Sequence, residues 1–341
     1  MWITHNGARI ACAAVVLAVV NSTVPGATAA DEKTYVMKIS LPTINETVHQ
    51  YSKAMAARVE KETNGRIKTE VYPASQLGAI PRQIEGTQFG SIQCVVLPPE
   101  FFVGIDERFE LLSAPGLANS MKNAEGIAHD PEVQKLILGL GANKGLYGAG
   151  LFATLPSYVI AKSPVRHLAD LKGKKLRILA SEFQQRAFER LGVTPVAMTL
   201  GDVLPAIQQG TIDGAISGIT NFTSMHYNDA AKYVTTTGQP YIFIVAELSR
   251  KWLDTLPKDL QEQVKKSVAA ESDAMDPVSE EWLAKSRKDW VDMGGELIDL
   301  PAEEQASMIA TMSSVAEDVS KNKPGLADAY KIVADAAKRT R

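Results

Sequence analysis

"YVMKISLPTINETVHQYSKAMAARVEKETNGRIKTEVY", residues 35–72, carries the pattern on which the fold reading turns. Tyr35 to Leu41 has the composition of a strand. Thr43 and Glu46 then stand at the S/T-x-x-E spacing of a capping box, which satisfies amide donors left open at a helix start. Val48, Tyr51, Met55 and Val59 follow at spacings of three, four and four, the apolar stripe of an amphipathic helix. Asn64-Gly65 ends it. From Arg66 to Tyr72, Ile67, Thr69 and Val71 alternate with Arg66, Lys68 and Glu70, as in a strand with one buried face. A strand, a helix and a second strand joined this way imply a parallel pair, and so an α/β protein.

The pattern returns further on. "KKLRIL" (174–179) predicts a strand, Ser181 a cap for the helix "EFQQRAFERL", Gly192 its stop, and "TPVAM" the next strand. Thr199-Leu200-Gly201-Asp202 offers a second capping box, with Pro205 expected in the first turn of the following helix, where its missing N–H does no harm. Two such segments predict two similar lobes, each with its own sheet. The last hundred residues are helix-rich. Residues 257–295 have helical composition throughout, with Pro277 expected to kink or split them.

Before Tyr35 the chain carries one positive side chain, Arg9, an apolar run from Ile10 to Val20, and small residues ending in Ala27-Thr28-Ala29. That order is the n-region, h-region and A-x-A site of a secretory signal, with a run too short for a membrane span. Residues 1–29 are therefore expected to be a signal peptide, cleaved after Ala29 or Ala30, and the product periplasmic. The remainder keeps one cysteine, Cys94, so core burial and not a disulfide must hold it together. The formal net charge of −3 becomes one unit more negative without Arg9. Nothing there favours nucleic acid or an anionic membrane surface.

A search for chemistry returns little. His49, His129, His167 and His226 have no second ligand at i+3 or i+4, and Cys94 stands alone, so no metal site is expected. "GAISG" around Ser217 has its serine in the wrong place for a nucleophile elbow. "GLGANKG" (139–145) follows a helical stretch and lacks the G-K-[ST] ending of a phosphate loop. No carboxylate pair is singled out. Neither catalysis nor a cofactor is predicted. One residue stands out: Arg177 sits inside the apolar strand "KKLRIL". An always-charged side chain is costly in such surroundings unless an anion meets it. On residues alone a structural ion pair or a surface arginine is favoured over a ligand contact.

"NGRIKTEVYPASQLGAIPRQIEGTQFGSI" resembles the first-lobe signature of the solute receptors of tripartite ATP-independent periplasmic (TRAP) transporters. "LADLKGKKLRI", "LGVTPVAM", "DVLPAIQQGTIDGAI", "DAAKYV" and "RKWLDTLPKDLQEQVKKS" match the same family in order and spacing. The resemblance spans nearly the whole chain after the signal. It implies two α/β lobes of the periplasmic-binding-protein kind, joined by crossing strands and a long helix, closing on an acidic solute. The expected lobes are 31–154 plus 243–282, and 155–242 plus 283–341, with the cleft between them.

Arg177 occupies the family position of the arginine that clamps the ligand carboxylate. A guanidinium suits that task because it offers parallel hydrogen bonds to both oxygens. Ser181, at the start of the next helix, adds amide dipoles that favour an anion. Other family positions fall on Ser217, on Pro98 and Phe101 of "LPPEFF", and on Leu200, where an aromatic often packs the ligand. Ser157 falls in "LFATLPSYV", where some relatives place a second arginine. Asn221 and Gln76 are further candidates, though either could simply cap a turn. One cation among Leu, Pro and Phe suits a monocarboxylate with an apolar or aromatic body. The resemblance therefore implies a monomeric receptor that delivers an organic acid to TRAP membrane permease subunits. A ligand sensor for a kinase on the same fold, or a secreted enzyme using Ser217 or paired carboxylates, are the competing readings.

Overall fold

The computed structural model describes residues 33–341 except Asn322, so the predicted signal peptide lies outside the described residues. The strands are β1 (Tyr35–Ser40), β2 (Ile67–Tyr72), β3 (Cys94–Leu97), β4 (Leu146–Ala161), β5 (Lys175–Ile178), β6 (Thr194–Ala197), β7 (Gly214–Ser217), β8 (Tyr233–Ser249) and β9 (Glu296–Asp299). The helices are α1 (Thr47–Glu62), α2 (Ile80–Phe89), α3 (Met121–His129), α4 (Pro131–Ile137), α5 (Glu182–Arg190), α6 (Leu200–Gln208) and α7 (Ile219–Ser224). After β8 come α8 (Arg250–Leu253), α9 (Lys258–Asp273), α10 (Asp276–Asp292), α11 (Ala302–Ser313), α12 (Val315–Ser320) and α13 (Pro324–Arg339).

β1 and β2 pair in parallel, as the opening stretch predicts. The expectation of two separate sheets is corrected. One sheet runs β2-β1-β3-β8-β4-β7-β5-β6, with β9 also beside β8. The cause is the length of the two crossing strands. β4 and β8 have 16 and 17 residues and pair with each other antiparallel along their length. The late part of β8 holds β3, and its early part holds β9. The ladder is continuous, yet each end of the ribbon serves a different α/β half. Its register breaks at Ala153/Leu155 and Pro156/Tyr158, and such irregularities bend a strand pair where the halves meet.

Helices cover both faces of each half. Val48, Tyr51, Met55 and Val59 are all buried, so the predicted stripe of α1 is its packed face. The predicted box at its start takes another form. Glu46 is itself the cap residue, accepting from the amides of Val48 and His49, while Thr43 Oγ1 donates to Glu46 Oε1 at 2.5 Å. Ser181 caps α5 as expected, accepting from the Gln184 amide. Pro205 lies deeper in α6 than its first turn, because the helix already begins at Leu200. The carbonyl it leaves without a helical donor belongs to Gly201, which is exposed and open to water. Pro277 stands in the first turn of α10, and the predicted long helix is split there into α9 and α10. α9 buries Val264 and Val268 against the first half, and α10 buries Trp290 in the second. α13 packs Leu326, Ala329 and Val333 with residues of α3 and α4, returning the chain end to the first half.

The sheet also holds an ionisable group with no counterpart. Glu247 on β8 pairs in register with Val95 and Gly148, is fully buried, and neither carboxylate oxygen has a hydrogen-bond partner among the described residues. Burial pushes its acid up to about 8, against about 4.3 for a carboxyl in an unfolded chain. Between those values the folded state holds a proton that the unfolded state has lost, so this group erodes stability as pH rises from about 5 to 8. Urea midpoints of the native protein and of Glu247→Gln, measured across that range, should diverge toward alkaline pH with the native protein falling relative to the variant. Parallel curves would refute the assignment.

Candidate functional site

β5 lies between β6 and β7, with Arg177 in register with Val196 on one side and Ala215 on the other. Strand alternation sends its flanking residues Leu176 and Ile178 into the core under α5, and Arg177 to the opposite face. There the guanidinium is 2% exposed. Its Nε donates to Met198 O at 2.9 Å and its Nη1 to Ile216 O at 3.2 Å, carbonyls just beyond β6 and near the end of β7. Among the described residues no carboxylate forms an ion pair with it, and Nη2 has no acceptor. Both alternatives read from the residues, surface arginine and internal ion pair, are thereby excluded. Burial lowers its pKa to about 10, with Tyr227 and Glu100 acting in the opposite sense, so the cation persists at neutral pH.

Arg177 forms part of the wall of a cavity of about 560 Å³, a figure that includes the solvent-open space at its mouth. The first half contributes Glu46 and its neighbours Pro42, Thr43 and Val48, then Val96 of β3 and Pro98 and Phe101 after it. The crossing strands add Thr154, Leu155, Ile242 and Ile244. The second half supplies Leu179, Leu200, Ser217, Thr220 and Asn221 beside the arginine. These positions cluster at the carboxyl ends of parallel strands, where α/β folds gather ligand sites. Thus Arg177, Ser217, Pro98, Phe101, Leu200 and Asn221 of the candidate residues line one cavity.

Two predicted residues are not. Ser157 is fully buried with its hydroxyl unpartnered among the described residues, but it does not line the cavity. It lies within the register break Pro156/Tyr158, which upsets the simple alternation from Thr154 onward. Gln76 is exposed in the turn after β2, where its amide bonds Pro73 O, the turn role that was its alternative. The expected anion site at the start of α5 is also corrected. Glu110 already fills it, accepting from the amides of Glu182 (2.7 Å) and Phe183 (3.2 Å) and from Ser181 Oγ.

The polar groups near the arginine are arranged to give hydrogens. Asn221 Nδ2 donates to Ser217 Oγ at 3.0 Å, which leaves the serine proton free to be given elsewhere. Glu100, on the turn Pro99–Phe102, is 3% exposed and accepts from Gln184 Nε2 at 3.3 Å. Burial lifts its acid to about 7, partly offset by Arg177. The residues that motif reading missed are Glu46 and Thr43, taken only as helix capping. Their place after the first parallel strand was the available signal.

Residues 41–322 match the sequence profile of a bacterial extracellular solute-binding protein, family 7. The C4-dicarboxylate-binding periplasmic protein DctP of Rhodobacter capsulatus is 26% identical over 265 residues, covering 77% of this chain and 79% of that one. A TRAP periplasmic solute-binding protein of Desulfovibrio salexigens, solved with orotic acid, superposes with a TM-score of 0.84 at 20% identity, covering 90% of this chain and all of the other. The sugar-acid-binding protein DctPAm of Advenella mimigardefordensis, solved with galactonate, gives a TM-score of 0.85 at 20% identity, covering 91% of this chain and all of its own. At that identity the solved structures speak for the two-lobed fold. A profile match of this extent places the chain in bacterial extracellular solute-binding protein family 7, the solute-receptor family of TRAP transporters, and so among proteins that bind a solute without transforming it.

Proposed function

We propose that this protein is a periplasmic receptor for an organic monocarboxylate with an apolar or aromatic body, which it delivers to TRAP permease subunits. The observation that carries the reading is Arg177, a buried cation in a mostly apolar-walled cavity with no acid among the described residues paired to it. A ligand carboxylate would supply the missing partner through Nη2 and the Ser217 hydroxyl. Pro98, Phe101, Leu155, Leu179, Leu200 and Ile244 would enclose the remainder. Orotic acid and galactonate, held by the two structural relatives, each carry a single carboxyl. A sequence relative is named for C4-dicarboxylates, so family membership alone does not choose. In this reading residues 1–29 are the removed signal, and no described helix is long and apolar enough to cross a membrane. The receptor acts as a monomer.

Energies are consistent with one clamp. A charge-assisted hydrogen bond contributes about 1.5–3 kcal/mol net, and micromolar binding requires about 8 kcal/mol. Apolar burial at about 25 cal/mol per Å² can supply the difference after ordering costs. Closure would move the lobes, 31–154 plus 243–282 and 155–242 plus 283–341, about register breaks of β4 and β8, except that α13, though within 283–341, packs on the first half and would travel with it.

A thermal-shift screen of aromatic and aliphatic acids identifies the ligand, since binding to the native state alone raises the melting temperature. Titrated with the best acid, Arg177→Ala should lose about 100-fold or more in affinity, because a carboxylate would be buried unpaired. Arg177→Lys should fall between, keeping the charge without the planar fork. Unchanged affinity in the alanine variant removes Arg177 from the site. Small-angle scattering should show the radius of gyration falling as the acid saturates the native protein; an unaltered profile argues against lobe closure.

A further inference from the structure

The cavity has a second pole. Glu46 is 2% exposed and lines it from the first half, with Thr43 alongside. Oε1 of Glu46 accepts from Thr43 Oγ1 and from the His49 amide at 2.9 Å, and Oε2 from the Val48 amide at 2.8 Å. All three partners are donors, two of them amides at the head of a 16-residue helix, and each favours the carboxylate as an acceptor, while burial, the larger influence, raises its acid above the ordinary range. A carboxylate oxygen can accept twice, so Oε2 keeps an open acceptor position. Thr43 has spent its only hydroxyl proton on Glu46 and offers lone pairs alone.

The opposite pole is the reverse, since Arg177 and the freed Ser217 proton only donate. The two stand on different elements, Glu46 at the head of α1 and Arg177 in β5. Between them the wall is mostly apolar, including Val48, Ile80, Val96 and Ile242.

We infer that Glu46, with Thr43, is a specificity-determining acceptor pole that selects monocarboxylates bearing a hydrogen-bond donor, such as a hydroxyl, at the end remote from the carboxyl, and rejects dicarboxylates. This rests on the receptor reading above and names its substrate class. A second carboxylate, acceptor-only and negative, would meet Glu46 in a water-poor space where like charges repel strongly. A distal hydroxyl would fill the open position on Oε2. A group lacking a donor would leave that position desolvated and unpaired, a smaller loss. Discrimination of this kind works by penalising the wrong ligand as much as by rewarding the right one.

The test is calorimetric titration with acids matched in length: pentanoate, 5-hydroxypentanoate and glutarate, then hexanoate, 6-hydroxyhexanoate and adipate. The native protein should prefer the hydroxy acid to the dicarboxylate of equal length by at least about tenfold in one series, with the plain acid between. Glu46→Gln and Glu46→Asn remove the charge, and asparagine is itself a favoured helix cap, which guards against a trivial folding defect. In both, the preference should shrink to within about threefold, mainly through tighter binding of glutarate or adipate. Melting temperatures without ligand verify folding. Equal binding of hydroxy acid and dicarboxylate by the native protein, or an unchanged ratio in the folded Glu46 variants, overturns the inference. Arg177→Ala separates this from the reading beneath it. If it binds every acid as the native protein does, or if the native protein binds none, the receptor proposal itself fails.

Discussion

A guanidinium held away from water without an acid to answer it is the constraint around which this molecule is built. Two backbone carbonyls, from Met198 and Ile216, accept from it, which fixes its position without cancelling its charge. Glu100 acts on it electrostatically, but its own burial raises its acid to about 7, so it is an incomplete counter-ion at neutral pH. The desolvation cost would therefore be relieved by an anion brought to the guanidinium. An ion pair inside the protein would have removed that cost and, with it, the attraction for a ligand.

The sheet makes such a site possible. Because β4 and β8 run through both halves, the walls of the cavity come from two α/β units that share a backbone ladder. Residues from the ends of β3, β5 and β7 face one another across Thr154 and Ile242 of the crossing strands. Two of the three register breaks of β4 and β8, at Ala153/Leu155 and Pro156/Tyr158, lie in or beside that same stretch, and the third is at Gly148/Gly150. The split of α9 from α10 at Pro277 gives each half its own helix over the crossing, in place of one rigid rod.

The protein's own charges occupy the other attractive places. Glu110 takes the amides at the head of α5 and Glu46 those of α1. Helix dipoles that could have drawn a ligand anion are thus already neutralised, and Arg177 is left as the cation of the cavity wall. Glu46 differs from Glu110 in lining the cavity, so a capping residue is also part of its wall.

Much of this was legible in the chain. Apolar spacing placed α1 and its buried face, the alternation of Ile67, Thr69 and Val71 placed β2, and Pro277 marked the helix break, because these features follow from local periodicity and backbone chemistry. The order of motifs from "NGRIKTEVYPASQLG" to "RKWLDTLPKDLQEQVKKS" was enough for the family and for the position of Arg177. What only the tertiary structure decided was direction. Periodicity tells a buried side chain from an exposed one, but not a core from a cavity, since that depends on whether a distant segment leaves space opposite. Ser157 was lost to a register break, Gln76 to a turn, and Glu46 became visible only when α1 and β5, over a hundred residues apart, were folded onto one space.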